Sequence, residues 1–376
     1  MRLAVVDQTG NDVGGAQVSL ELFLRHLPED VEPHVIVFEP GTFADRIRAL
    51  HIPVRVVPLA DGLRSATRER VPWRTARLLP GAIRSLAAAL REIGPDVVYT
   101  NGVKAHVLGS IAARLIGTPS VVHHRDILRG PARLALLAVL AGCSRSRIAN
   151  SATVLRCFPL ARTSVVDNPV ELERYERLPP RDAARRELGI GGDEPLAAIV
   201  GRVNRWKGID RFLRAIAAVN RQTRLRGLVV GAPHFRDADH LAELHALRTE
   251  LGLDGTVDFV DWVDDTRTIY AAIDVNVNAS RGEPFGRTII EAAAAGVPSV
   301  CFDDAGVSAT MVDGTTGLVV AAGDETALGN ALAAYARDPA RRAAAGAAAR
   351  AWSQRFDAAL HARRVTEILH RAETRA

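Results

Sequence analysis

Short runs of aliphatic and β-branched residues alternate along the chain with longer Ala/Leu/Arg segments whose apolar positions recur every three or four residues. The runs read as strands buried on both faces, and the longer segments as helices crossing between them. In the first half, strands are predicted at Leu3 to Val6, His34 to Phe38, Val54 to Pro58, Asp96 to Tyr99, Ser120 to His123, Arg147 to Ala149 and Ser164 to Val166. In the second half they fall at Leu196 to Val200, Arg226 to Val230, Val257 to Val260, Val275 to Val277, Ser299 to Phe302 and Gly317 to Val320. Strand and helix repeated in this way predict an α/β chain of two doubly wound, Rossmann-like parallel sheets. The break lies in Asn168 to Pro195, which holds Pro169, Pro179, Pro180, Pro195 and Gly191-Gly192. A short helix, Arg181 to Leu188, sits inside it with Asp182 as its cap. The expected division is 1–168, 169–354 and a closing helix over 355–376, where Phe356, Leu360, Val365 and Leu369 stand on a charged background.

Composition narrows this further. At 376 residues, 48% hydrophobic and 24% charged, the chain reads as globular with two domains, and disorder, collagen and coiled coil are excluded. Cys143, Cys157 and Cys301 form no CxxC pair, which argues against a disulfide framework or a thiolate zinc site. The apolar run Leu134 to Gly142 is half of the roughly 18 residues that a membrane span needs. Asp7 interrupts a would-be signal core, so a cytoplasmic chain is expected. The net charge of +5 fits an anionic small ligand or membrane surface as well as nucleic acid. Of the 48 basic residues only two are Lys, Lys104 and Lys207, so each of these is a candidate for work that needs a compact ammonium.

Ligands of open parallel sheets bind where the strands end, and two facing sheets imply a cleft. The first strand leads to Gly14-Gly15-Ala16-Gln17 and a helix, where backbone N–H groups could hold a diphosphate or simply make a tight turn. Neither GxGxxG nor GxxxxGK[ST] occurs there, which removes the main support for nicotinamide and ATPase readings. The second half opens with Gly201-Arg202, then Lys207-Gly208, a fork and a point charge suited to the two phosphates of a nucleotide sugar. The densest stretch runs from Asp274 to Pro298. In it Glu283 sits in a loop, Pro284 is expected to pre-set the first helical turn, and Glu291 lies eight residues on. Along a continuous helix those carboxylates would stand about 12 Å apart, beyond the roughly 5–9.5 Å of paired glycosidase acids. They suit two ends of one extended ligand, with the N–H groups of Phe285 and Gly286 at its middle.

Gly-Arg-x4-Lys-Gly followed by Glu-Pro-Phe-Gly-x4-Glu-Ala-x3-Gly-x-Pro resembles the retaining glycosyltransferases of family four. Gly14-Gly15-Ala16, Val166-Asp167-Asn168-Pro169 and Asp313-Gly-x2-Gly317-Leu318 extend the likeness over nearly the whole chain. The resemblance implies the GT-B fold, with an acceptor-binding first domain, a nucleotide-sugar-binding second domain and the closing helix packed back on the first. It implies a metal-independent transfer of a hexosyl unit from a nucleoside diphosphate sugar, UDP preferred, without a cofactor. Arg202 and Lys207 would bind the diphosphate, Glu283 the sugar hydroxyls and Glu291 the ribose. Phe285, Gly286 and Arg287 would line sugar and phosphates, Trp262-Val263 would meet the base, and Gly15 would close on the phosphates. The catalytic His of the first domain falls in His123-His124-Arg125-Asp126, where His123 or His124 fills the role and one spacing places Arg125 there. Asn101, Lys104, Arg125, Asp126 and Asn168 stand as acceptor-side candidates.

The sequence also departs from the family at Asp261, at Ala232-Pro233-His234 and near Ala309 or Thr310, where relatives carry Gly, a Gly-rich turn and Glu. Asp237-Ala-Asp239 formally matches a metal-binding DxD but lies before a helix from His240 to Leu251, and His240 and His245 are expected on the surface. No metal is expected. Between Gly62 and Gly94, Arg64, Arg68, Arg70, Arg74, Arg77, Arg84 and Arg91 interleave with Trp73, Leu78 and Leu79. A solvated face is the simpler reading; a basic helix that lies on an anionic membrane at its inner face is the other. Nucleic acid is not expected as a partner. A sugar-nucleotide epimerase or a non-enzymatic sugar-nucleotide-binding partner are the alternatives to a transferase.

Overall fold

A computed structural model describes the chain except residues 12, 66–72, 234–236, 264 and 375–376, and the side chains of residues 73, 74, 132 and 308. The chain divides into one unit of Met1–Pro169 with Ala358–Ala376, and a second of Val170–Asp357. All strands of both sheets are parallel, and every strand expected from the sequence appears with its ends within two residues.

The first unit holds β1 (Arg2–Asp7), β2 (Glu32–Val37), β3 (Val54–Val56), β4 (Val97–Asn101), β5 (Ser120–His124), β6 (Ser146–Ala149) and β7 (Thr163–Val165). Their order across the sheet is β3-β2-β1-β4-β5-β6-β7, so the direction of winding reverses between β1 and β4. Alternate residues of β1 feed opposite cores. Leu3 and Val5 pack with Leu20 and Phe23 of the helix Gly15–Arg25, and Ala4 and Val6 with Leu86 and Leu90 of the helix Leu79–Ile93. The closing helix, Ala358–Glu373, adds Ala362, Val365, Ile368, Leu369 and Ala372 to the Leu3/Val5 face. Positions 362, 365, 369 and 372 share one helical stripe, which explains the packing on a charged background.

The second unit holds β8 (Leu196–Val200), β9 (Arg226–Val230), β10 (Val257–Val260), β11 (Val275–Asn278), β12 (Ser299–Asp303) and β13 (Gly317–Ala321). Their order, β10-β9-β8-β11-β12-β13, reverses between β8 and β11. Ligands of such sheets bind at the strand ends beside the reversal. Across both sheets, five of these strands are expected to end at Val6, Tyr99, His123, Val277 and Phe302. The ladders continue one or two residues further, onto Asp7, Asn101, His124, Asn278 and Asp303. Those polar extensions all lie at carboxyl ends, where a site can be built.

Three local expectations are corrected. The linker helix runs Arg181–Glu187 with Pro180 at its N-cap, so Asp182 is in the first turn and caps nothing with its side chain. His240 is buried, with Nδ1 3.1 Å from Glu243, and is not a surface residue; His245 is half-buried with its ring 4.4 Å from that of Phe259. The basic segment is not one helix. It comprises Asp61–Arg64, a 3-10 stretch Trp73–Leu78 and Leu79–Ile93, with Arg84 and Arg91 exposed and Arg68 and Arg70 outside the described residues. Among the described residues no helix is long and apolar enough to cross a membrane.

Leu369 is fully buried at the seam between the closing helix and the first sheet. Leu369→Ala should lower stability by about 2–5 kcal/mol, read as the shift in denaturation midpoint. An unchanged midpoint would show that the closing helix is not part of this core.

Candidate active site

In the second unit three loops meet beyond the ends of β8, β11 and β12. β8 leads through Gly201 and Arg202 to Lys207, and Gly208 starts the helix Ile209–Asn220 with φ +73°. A Cβ at Gly208 would stand 2.0 Å from the Ala279 carbonyl oxygen, so the backbone there requires glycine on both counts. This close approach sets the β8 loop against the β11 loop. Arg281 N–H donates to the Trp206 carbonyl at 2.7 Å, Gly282 N–H to Asp304 Oδ2 at 2.9 Å, and Gly306 N–H to the Glu283 carbonyl at 2.8 Å.

Lys207 Nζ donates to Glu283 Oε2 at 2.9 Å, and both side chains are largely buried. Gly286 N–H donates to Glu283 Oε1 at 3.2 Å. Burial pushes the Glu283 carboxyl up, but the Lys207 ammonium and the hydrogen bonds from Lys207, Ser280 and Gly286 outweigh it and hold it below the usual range. Glu283 is therefore an ionised acceptor with its orientation fixed. Two expectations about this loop need correction. The helix is Arg287–Ala294 with Gly286, φ +94°, at its N-cap, so Pro284 is not in its first turn and the 12 Å spacing drawn from a continuous helix does not apply. The Gly286 N–H is turned onto Glu283 rather than toward a ligand.

Glu291, one turn into that helix, receives Arg287 Nη2 at 2.7 Å and the Tyr270 hydroxyl at 3.2 Å. Tyr270 is fully buried; burial and then the Glu291 charge push its phenol well above the usual value, so it remains a donor. Phe285 is buried in the core, Trp262 is exposed, and Val263 packs at the margin of the same cluster. Arg202 is half-buried, and no hydrogen bond or ion pair engages it among the described residues. Thus Arg202, Lys207 and Glu283 lie in linked loops, and Glu291 is held by partners of its own. Asp237 precedes the helix Ala238–Glu250 and Asp239 lies in its first turn. Among the described residues no three His, Cys, Asp or Glu are gathered to hold a metal.

In the first unit the ends of β1, β4 and β5 carry a buried polar network. Asp7 Oδ1 accepts from Thr9 N–H at 2.9 Å, and Oδ2 from Asn101 Nδ2 at 2.5 Å; Gln17 Nε2 lies 3.1 and 3.3 Å from the two oxygens. Burial drives the Asp7 carboxyl up to about 6 against the lowering effect of these donors and of Arg125. Asn101 Oδ1 accepts from Arg125 Nε at 3.0 Å, and Asn168 Oδ1 accepts from Arg125 Nη1. Arg125 Nη2 lies 3.2 Å from His123 Nδ1, which also receives the Tyr99 hydroxyl at 2.6 Å.

The structure separates His123 from His124, because successive residues of a strand face opposite sides of the sheet. His123 joins Arg125 and Tyr99, and His361 of the closing helix stacks on it at 5.8 Å. His124 packs flat on Phe158 at 4.1 Å and edge-on to His106 at 4.7 Å. Both rings are buried, with Nε2 unpaired in each. Asp126 is half-buried just beyond, and Lys104 Nζ donates to the Arg64 carbonyl. Gly15 begins the helix that follows β1, exposed. Of the residues that shape these networks, Asp7, Tyr99, Tyr270 and His361 were not singled out by sequence; only Asp7, the polar residue closing a strand, carried a readable signal.

The model for glycosyl transferases group 1 matches residues 180–352, and that for glycosyltransferase family 4 matches residues 13–174. The chain belongs to the GT-B glycosyltransferases of family four. Its relatives include the D-inositol 3-phosphate glycosyltransferase of Saccharomonospora viridis, 29% identical over 93% of this chain and 84% of that protein. HepE of Anabaena, solved with UDP and glucose, superposes with a TM-score of 0.86 at 26% identity, covering 98% of this chain and 99% of HepE. Sucrose-phosphate synthase of Thermosynechococcus elongatus shares the fold over both full chains, with a TM-score of 0.82 at 21% identity. This glycosyltransferase therefore carries two polar strand edges, one in each unit.

Three histidines of the first unit, His106, His123 and His124, are pushed down by burial first and by neighbouring charge, His124 to about 3. Each contributes stability above about pH 6.5 that is lost as pH falls, because the unfolded chain takes up protons first. Asp7, raised in the fold, contributes oppositely between its ordinary value and about 6. Three outweigh one, so melting temperature should fall from pH 7 to pH 5; a rise would contradict the assigned neutral state of these rings.

Proposed function

We propose that this glycosyltransferase is a retaining enzyme that moves a hexosyl unit from a UDP-sugar to an acceptor hydroxyl. The observation that carries the reading is the buried Lys207–Glu283 pair tied to the Arg202 loop, which offers cations for a diphosphate beside an oriented carboxylate for sugar hydroxyls. Glu291, held by Tyr270 and Arg287, presents acceptor oxygens for a ribose diol. Trp262 is an exposed aromatic surface suited to a base. The UDP and UDP-glucose complexes of HepE support uridine as the base and glucose-type sugars as the cargo.

In the chemistry we assign, the bond from the sugar C1 to the diphosphate oxygen breaks while the acceptor oxygen bonds to C1 on the same face. The acceptor proton passes to the departing phosphate oxygen, whose charge Arg202 and Lys207 stabilise. Glu283 orients the sugar rather than attacking it, since both its oxygens already accept hydrogen bonds. No step calls for a metal or cofactor. The first unit takes the acceptor at the edge formed by Asn101, Arg125 and Asn168. The inositol phosphate acceptor named for the Saccharomonospora relative makes a phosphorylated polyol the first compound to try.

The test follows UDP release from UDP-glucose with D-inositol 3-phosphate and a panel of glycolipid and saccharide acceptors, with the anomeric configuration of product read by NMR. An α-linked product and a loss of about a hundredfold or more in Lys207→Ala are expected. Inverted product, or near-wild-type turnover in that variant, would overturn the mechanism.

A further inference from the structure

The Asp7 carboxylate has itself no part in the substrate contacts assigned so far, yet it sits at the sheet's reversal, in contact with Asn101 of the acceptor edge, with two side-chain amides and a backbone N–H aimed at it. Its contact with Asn101 decides more than a single bond. An amide has a donor end and an acceptor end, and Asp7 Oδ2, as a pure acceptor, takes the Nδ2 end of Asn101. Only then does Asn101 Oδ1 face Arg125 Nε and accept from it. We propose that Asp7 is a positioning residue for the acceptor edge of the first unit: by fixing which way the Asn101 amide points, its carboxylate holds the Arg125 guanidinium in place. This rests on the reading that the first unit takes the acceptor.

The consequence of removing the charge follows from hydrogen-bond polarity. Thr9 N–H cannot turn over, so the oxygen that accepts from it must remain an acceptor. A proton added to Asp7, or the NH2 of an Asn in its place, is therefore directed to Oδ2, where it confronts Asn101 Nδ2. Two donors cannot share that 2.5 Å contact. Of the two amides on Oδ2, Asn101 at 2.5 Å is closer than Gln17 at 3.3 Å and is the one that reverses; its NH2 then faces Arg125 Nε, and the guanidinium loses one of the bonds that aim it.

The groups packed around the network leave Asp7 as the one whose titration this predicts. Facing it are Thr9 in its own loop, Gln17 of the helix Gly15–Arg25, Asn101 of β4, and Arg125 beyond β5. Facing Arg125 are Asn168, His123 and Tyr99, with His361 of the closing helix on His123. His106 of the helix Val103–Ile116 and His124 stand near enough to His123 that protonating either would lower it further. Burial keeps His106, His123 and His124 neutral and pushes the Tyr99 phenol up to about 12, so neither changes charge near pH 6.

The test is the Nε–Hε NMR signal of Arg125 in the full-length 15N-labelled protein, identified by its disappearance in Arg125→Lys. In the wild type it should titrate with a midpoint at about 6. Asp7→Asn should place it near the acid limit at every pH, and adding Asn101→Asp, which restores acceptors on both sides, should return it. UDP release from UDP-glucose at pH 7.5 should drop about tenfold or more in Asp7→Asn and recover in the double variant, the size expected for a charge-assisted hydrogen bond. A signal that does not titrate in the wild type overturns the proposal without any variant. A titration that persists in Asp7→Asn assigns the proton to another group, His361 foremost, and overturns it equally. Absence of UDP release in the wild type would count against the proposed transfer while leaving the Arg125 signal to decide the role of Asp7.

Discussion

The buried ion pair between Lys207 and Glu283 is the interaction on which the rest of the second unit's edge depends. Burial of two charges is costly unless each is paired and hydrogen-bonded, and here the pair is completed by the Gly286 N–H on the far oxygen of Glu283. The pair joins the loop after β8 to the loop after β11. The bond from Arg281 N–H to the Trp206 carbonyl reinforces that join, and the bonds from Gly282 and Gly306 N–H fasten the loop after β12 to the loop after β11. Glycine at 208 permits this meeting, because any side chain there would occupy the space of the Ala279 carbonyl. Contacts within the protein thus tie the three loops to one another, the kind of support that preorganised recognition relies on.

The two units meet the same problem, a buried carboxylate at or beyond the end of a strand, in different ways. Glu283 is given a cation and stays below the ordinary carboxylate range. Asp7 is given amides and a backbone N–H, with the Arg125 charge further away, and burial wins, raising it to about 6. A cation partner makes a fixed anion suited to hold sugar hydroxyls, whereas amide partners make an acceptor whose state can change near neutrality and be passed on through Asn101.

Much of the fold was legible because parallel strands buried on both faces leave short apolar runs, as in Leu196–Val200 of β8 and Val97–Tyr99 of β4. The strand ends were less so. A hydrophobicity pattern stops at Val6 or Tyr99, but the ladder pairs Asp7 with Asn101 and Asn101 with His123. Glu283, Glu291, Arg202 and Lys207 were legible from their spacing and from the scarcity of lysine. Their partners were not, since Tyr270 reaches Glu291 from the helix Thr266–Ala272 and Gly286 turns its N–H back onto Glu283, contacts that no local pattern specifies. Pro284 misled for the same reason: a proline three residues before the helix resembles one inside its first turn, and only the left-handed Gly286 shows where the helix begins. His361 lies 194 residues from its partner Asp167, a contact set by the closing helix returning to the first sheet.

The central claim is that Lys207 and Glu283 form a nucleoside diphosphate sugar site in the second unit. The most direct measurement is calorimetric titration of UDP and UDP-glucose, with GDP, ADP and TDP as controls, into the wild type and Lys207→Met. The account predicts that UDP binds the wild type with a preference over the other nucleotides, and that the variant loses roughly tenfold or more in affinity for both uridine ligands, as expected for a charge-assisted contact to phosphate. Equal affinity of the variant and the wild type for UDP would contradict it.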